Sequence, residues 1–74
     1  MVYPNPTSGN FTIALENVKQ VATGLLTDLS GKQVALYLLK KGDNAIENEN
    51  LAKGTYILSI NIDGKTQAKK IIIK

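Results

Sequence analysis

The stretch GTYILSINIDGKTQAKKIIIK, residues 54–74, decides how this chain folds. Tyr56, Leu58, Ile60 and Ile62 alternate with Thr55, Ile57, Ser59 and Asn61. That period of two predicts a strand over 54–62 with one face against a core. Asp63-Gly64 follows at once. Between two strand-like runs this dipeptide predicts a two-residue hairpin, because the turn needs left-handed backbone that Asp and Gly tolerate. The return run, 65–73, ends in Ile71, Ile72 and Ile73, before Lys74. A strand buried on one face cannot turn three consecutive isoleucines inward. Parity puts Ile71 and Ile73 in, and Ile72 out beside Lys70.

Working outward, Phe11, Ile13 and Leu15 alternate with Thr12, Ala14 and Glu16, a second half-buried strand. Val34, Leu36 and Leu38 show the same period and are expected to share a face. "VATGLLTDL" is less regular. Leu26 and Leu29 cannot share a face at period two, which predicts a bulge or a strand end near Asp28. In "DLSGKQV", Gly31 stands where a three-residue hairpin loop takes a left-handed residue, and Gly42 marks another turn in "KKGDN". Turn signals recur every 8–12 residues or so, and no apolar stripe of helical period extends over three turns. Strands are expected at about 2–4, 10–16, 20–28, 33–39, 44–48, 54–62 and 65–73. The fold class is therefore all-β, a small immunoglobulin-like antiparallel β-sandwich of about seven short strands. In "NLAKGTY", Leu51, Gly54 and Tyr56 have the spacing of a tyrosine corner, in which the hydroxyl reaches backbone a few residues upstream. Tyr56 can equally be the first inward residue of its strand, and both readings make it structural.

The 74 residues suffice for one domain. Cysteine, histidine, tryptophan and arginine are all missing. No disulfide, Ser-His-Asp triad, Cys-His dyad or Cys/His zinc site is possible within the chain. Net charge is +3, and every cation is a lysine. Lys65, Lys69, Lys70 and Lys74 fall in the last ten residues with no acid among them. Nucleic-acid recognition favours arginine and stacking aromatics, which that stretch lacks, so no nucleic-acid partner is expected. No apolar run approaches the roughly 20 residues of a membrane span, and no transmembrane segment is expected. The front shows no signal peptide. If Met1 is a cloning start, the chain is a piece of something longer.

Asp43, Glu47 and Glu49 cluster with Asn44, Asn48 and Asn50. These oxygens suit calcium, but the Asp-x-Asp-x-Asp-Gly spacing of a calcium loop is absent. A polar loop with an embedded short strand is expected there, with no metal. No carboxylate pair stands out for acid–base work, so neither enzyme activity nor a cofactor is expected. Gly31 and Gly54 precede no helix, which removes the basis for a phosphate cradle. "NFT" at Asn10 matches a glycosylation acceptor, relevant only in a eukaryotic secretory route.

Three motifs stand in order: "YPNPTSGNF" at the front, "LTDLSGKQV" in the middle, and "NLAKGTYILSI" followed by "KTQAKKIIIK". Together they resemble the C-terminal sorting domain, type A, of the type IX (Por) secretion system, found on exported proteins of Bacteroidetes-type bacteria. The resemblance runs from Val2 to Lys74. It implies a non-catalytic secretion and sorting signal, residues 1–74, cut from a larger exported protein. Its implied partners are the covalently attached passenger, the outer-membrane type IX translocon with its shuttle component, and a sortase-like surface protease cutting upstream of Tyr3. The domain would fold in the periplasm in transit, and the passenger would end at the cell surface or outside the cell. Two departures are small: Lys53 stands where proline or alanine is common, and Gly24 weakens the third strand.

Pro4 and Pro6 are the only prolines. Each lacks an N–H and pushes the residue before it, Tyr3 or Asn5, into extended backbone. They make a stiff boundary, with Tyr3 tucked into the core and Asn5, Thr7, Ser8 and Gly9 turning into the Phe11 strand. A plain turn-and-edge device accounts for them equally well. At the tail, an outward Ile72 ringed by lysines suits a docking strip, through strand addition or a groove. The recognition candidates are therefore Tyr3, Pro4, Asn5 and Pro6 in front, and Lys69, Lys70, Ile71, Ile72, Ile73 and Lys74 behind. Gly9, Asp28, Gly31, Leu51, Gly54, Tyr56, Asp63 and Gly64 are the structural motif residues. The alternatives are an accessory immunoglobulin-like module that binds carbohydrate or links domains, and a small adhesin pairing through an edge strand. A carbohydrate binder would need exposed aromatics, and only Tyr37 is a candidate.

Overall fold

A computed structural model describes residues 2–3, 9–19, 22–47 and 51–74. They form β1 (Val2–Tyr3), β2 (Phe11–Leu15), β3 (Ala22–Asp28), β4 (Gln33–Leu39), β5 (Gly42–Ile46), β6 (Gly54–Ile62) and β7 (Lys65–Ile73). One sheet has the order β1-β2-β5, the other β4-β3-β6-β7. Every pairing is antiparallel. This is the all-β sandwich that the alternation predicts, and the described residues include no helix. β5 starts at Gly42 rather than Asn44, because Gly42 and Asp43 already pair with Leu15 and Ala14.

The two inner faces meet in one core. Phe11, Ile13, Leu15 and Ile46 come from the first sheet, and Ala22, Leu26, Leu39, Tyr56, Leu58, Ile60, Ile71 and Ile73 from the second. Ile13, Leu26, Leu58 and Ile71 are the largest wholly buried side chains. Burial of each contributes about 1.5–3 kcal/mol. The tail obeys its parity: Ile71 and Ile73 are 0% and 3% exposed, Ile72 39%. Gly24 also faces inward. A Cβ there would lie 3.3 Å from Leu39 Cδ1 and 3.4 Å from Leu58 Cδ1, so the missing side chain lets two leucines close over β3.

β4 departs from expectation. Leu36 and Leu38 are 60% and 84% exposed, while Leu39 is buried and Ala35 and Tyr37 pack against the core. The cause is a β-bulge. Gln33 pairs with Thr27 but Ala35 pairs with Leu26, so Val34 is an extra residue. A regular ladder would set Val34, Leu36 and Leu38 opposite the inward Leu26, Gly24 and Ala22. One inserted residue moves Leu36 and Leu38 to the other face, while Val34, the extra residue itself, still packs against the core. The irregularity expected near Asp28 is real, and it sits on the partner strand.

Tight turns fix the two hairpins. Asp63 (φ 50°) and Gly64 (φ 90°) are both left-handed between the paired Ile62 and Lys65, as a two-residue turn requires. In the β3–β4 loop, Asp28 N donates to Lys32 O at 3.0 Å and Gly31 N to Asp28 O at 3.1 Å, with Gly31 at φ 90°. Asn44, on β5, is the buried polar side chain of the core region. Its Oδ1 accepts from Lys40 N at 2.9 Å, and its Nδ2 donates to Ile13 O at 3.0 Å and Lys40 O at 2.8 Å. It thereby ties the chain where it crosses from β4 to β5 onto the central strand of the first sheet. Asn44 is thus a structural clamp.

The tyrosine corner is present. Tyr56 Oη donates to Ala52 O at 2.6 Å, the ring is buried, and Leu51 packs against the core. Ala52 is exposed, so water can replace the lost donor in a Tyr56→Phe variant. The expected cost is about 1 kcal/mol, or a melting midpoint lower by about 4–8 °C in a thermal melt.

Candidate functional site

β7 is the edge strand of the four-stranded sheet. It pairs with β6 along its whole length, and no described strand lies along its other side. Its burial is uneven. Lys65 to Lys70 are all exposed, and only Ile71 and Ile73 enter the core. Lys69 has inward parity opposite Leu58, yet it is exposed. On the outer face, Ile72 sits across from Thr55, and Lys70 across from Ile57. The exposed side chains at this end of β7 are therefore Lys70 and Ile72 on the outer face, with Lys69 and Lys74 beside them. Ile71 and Ile73, also recognition candidates, are core residues.

At the front, Tyr3 is 42% exposed and does not tuck into the core. Val2 takes that role, because it pairs with the inward Ile13 while Tyr3 pairs with the outward Thr12. Pro4, Asn5 and Pro6, with Thr7 and Ser8 of the expected turn, lie outside the described residues. Gly9 is buried at φ 125° just before β2. Tyr3 and Ile72 point away from opposite sheets, so these two candidates do not share one patch.

Other expectations resolve by placement. Tyr37 stands edge-on to Phe11, with ring centroids 6.5 Å apart at 90°, and packs on the core; the exposed aromatic is Tyr3. Asp43 and Glu47 are exposed at β5, and Glu49 lies outside the described residues. Among the described residues, no three His, Cys, Asp or Glu side chains come together as metal ligands would. Sequence reading missed the exposed pair Leu36 and Leu38 on the outer face of β4. Only the bulge at Val34 puts them there.

Asp28 organises the middle motif. Its Oδ1 accepts from Ser30 N at 2.9 Å, Ser30 Oγ at 2.6 Å and Lys32 N at 3.0 Å. The Ser30 hydroxyl first, then the Lys32 amide, hold this carboxyl below its ordinary value. A depressed folded pKa contributes stability that is present above the unfolded value, about 3.9, and lost as pH falls through the folded one. Asp28→Ala is therefore expected to lower the melting midpoint at neutral pH. That difference should shrink as melts are taken at pH values falling below about 4.

No helix in the described residues is long and apolar enough to cross a membrane. In comparison with known proteins, the family model described as the secretion system C-terminal sorting domain matches residues 1–74. No curated protein matches the sequence.

Proposed function

Because the chain belongs to the secretion system C-terminal sorting domain family, we propose that the outer strip of β7 is the part of this signal that the outer-membrane machinery reads. The chain is a C-terminal sorting signal for type IX secretion. That role implies an attached passenger, a secretion-system partner, and export to the cell surface or extracellular space. In the fuller reading, residues 1–74 act as one non-catalytic module. It folds in the periplasm and is engaged by the translocon and its shuttle component. A sortase-like protease then separates it from the passenger upstream of Tyr3.

One observation carries the assignment to β7. Ile72 is an apolar, β-branched side chain turned outward on an edge strand beside Lys70, while its neighbours Ile71 and Ile73 hold the core. Ile72 thus stands outside the core, on the face a partner would touch. The test fuses residues 2–74 behind a signal peptide and a fluorescent protein. The fusion is expressed in a bacterium with the type IX machinery and in a matched strain without it. Ile72→Glu is expected to cut machinery-dependent extracellular fluorescence at least tenfold, while the purified domain melts within a few degrees of the parent. Undiminished export of a folded Ile72→Glu domain would sink the assignment.

A further inference from the structure

The two sheets differ in length on one side. β6 and β7 have nine residues each, β2 only five. Beyond the short sheet the inner side of the β6–β7 hairpin lies open, forming a groove of about 770 Å³. Its walls are Ala14, Leu15 and Glu16 on one side, and Ile62, Lys65 and Gln67 on the other. No β5 residue lines it, although β5 runs along β2 as far as Leu15. The groove therefore opens on the other flank of β2, the flank where β1 pairs. The far end is closed by Lys19 N, which donates to Asp63 Oδ2 at 2.9 Å and ties the β2–β3 loop to the β6–β7 turn.

We infer that this groove seats the segment immediately ahead of Val2, which enters it as a continuation of β1. Register gives the path. Val2 opposes Ile13 and Tyr3 opposes Thr12, so a chain followed backwards from Val2 runs towards Leu15 and Glu16. Continued in a linker at the same register, the second residue ahead of Val2 opposes Leu15 and the third Glu16. Val2 packs on the core, so the second residue ahead shares its face and covers the half-exposed Ile62 beside the buried Leu15. The floor is apolar there, and the rim carries Glu16 and Lys65. The occupant is accordingly an extended stretch of about three residues, roughly 10 Å, with an apolar β-branched side chain at the second position and no proline there. The last residues of the passenger linker are then part of the sandwich, and the flexible joint lies further upstream.

This inference rests on the attachment of a passenger ahead of Val2 and not on which surface the translocon reads. Its test is on folding, so it can fail while export succeeds, and the reverse. Three fusions carry a fluorescent protein, a short segment and residues 2–74. The segments end, just ahead of Val2, in Thr-Val-Thr, in Thr-Pro-Thr or in Gly-Ser-Gly. Amide hydrogen exchange and thermal melts are read on all three. Thr-Val-Thr is expected to slow exchange in the segment at least tenfold over Gly-Ser-Gly and to raise the domain's midpoint by about 4–8 °C, with proline abolishing both effects. Coil-like exchange and equal midpoints in all three would overturn the inference. So would protection that grows with protein concentration, because a second copy would then fill the groove.

Discussion

Removing residues 70–74 is expected to unfold the domain and to abolish export together. The deletion takes Ile71 and Ile73, both almost wholly buried and paired with Tyr56 and Gly54. Losing a buried isoleucine costs about 2–5 kcal/mol, so the pair costs roughly 4–10. At about 0.05–0.15 kcal/mol per residue, a chain of 74 residues holds only about 4–11 kcal/mol in all. The deletion thus removes most of what there is. A cooperative melt in the shortened chain would show that the last strand does not complete the core. Export that survives the deletion would remove the tail from the signal altogether. Loss of export by itself does not identify a docking strip, because an unfolded tag also fails. The surface substitution at Ile72 separates the two effects, since it changes the outward side chain and leaves the inward pair.

The second large effect is expected at Asn44. Asn44→Ala strips the acceptor from Lys40 N and the donor from Ile13 O and Lys40 O. A buried backbone group left unpaired costs about 1–3 kcal/mol. Ile13 is fully buried, whereas Lys40 is exposed and water can reach its side of the clamp. The total should be about 3 kcal/mol, read as a lower urea midpoint. Asn44→Asp is the sharper variant. It keeps the acceptor for Lys40 N but presents a carboxylate to the carbonyl oxygens of Ile13, Lys40 and Gly42. Burial and that repulsion raise its folded pKa above the unfolded value, so the native state binds the extra proton. Stability of the Asp variant should then recover as pH falls, the opposite of the slope expected from Asp28. Parent-like stability in both variants would show that the crossing does not depend on this side chain.

The hairpin of β6 and β7 was legible because three signals agreed. Alternation set the strand, Asp63-Gly64 set the turn, and the isoleucine triplet forced one side chain outward. Spacing made Tyr56 structural but left the corner open, and the bond from its hydroxyl to Ala52 O decides it. β4 was not legible. Its face depends on one inserted residue, Val34, which is an ordinary strand residue with no composition mark. Tyr3 failed for a different reason. A two-residue strand has no alternation to read, and only its pairing with Thr12 turns the ring outward. Asn44 looked like loop polarity because its partners Ile13 and Lys40 meet only after the sheets stack. At the candidate site, Ile72 was visible in sequence, while the overhang that opens the groove beside β2 comes from unequal strand lengths across two sheets.

Unequal arrival follows from the last strand's place in the core. In a chain delivered N-terminus first, β1 to β5 are all present once Ile46 has emerged. At that moment β3 has β4 on one side and nothing on the other, because its second neighbour is β6. Ile13 and Leu26 then face a half-built interior that still lacks Leu58, Ile60, Ile71 and Ile73. Long-range pairing of this kind is rewarded late, after the chain entropy of closing it has been met. The closed state is thus a record that the polypeptide was carried through to Ile73. A passenger whose synthesis stops short carries an open tag, and a receptor that reads only the closed sandwich passes finished molecules.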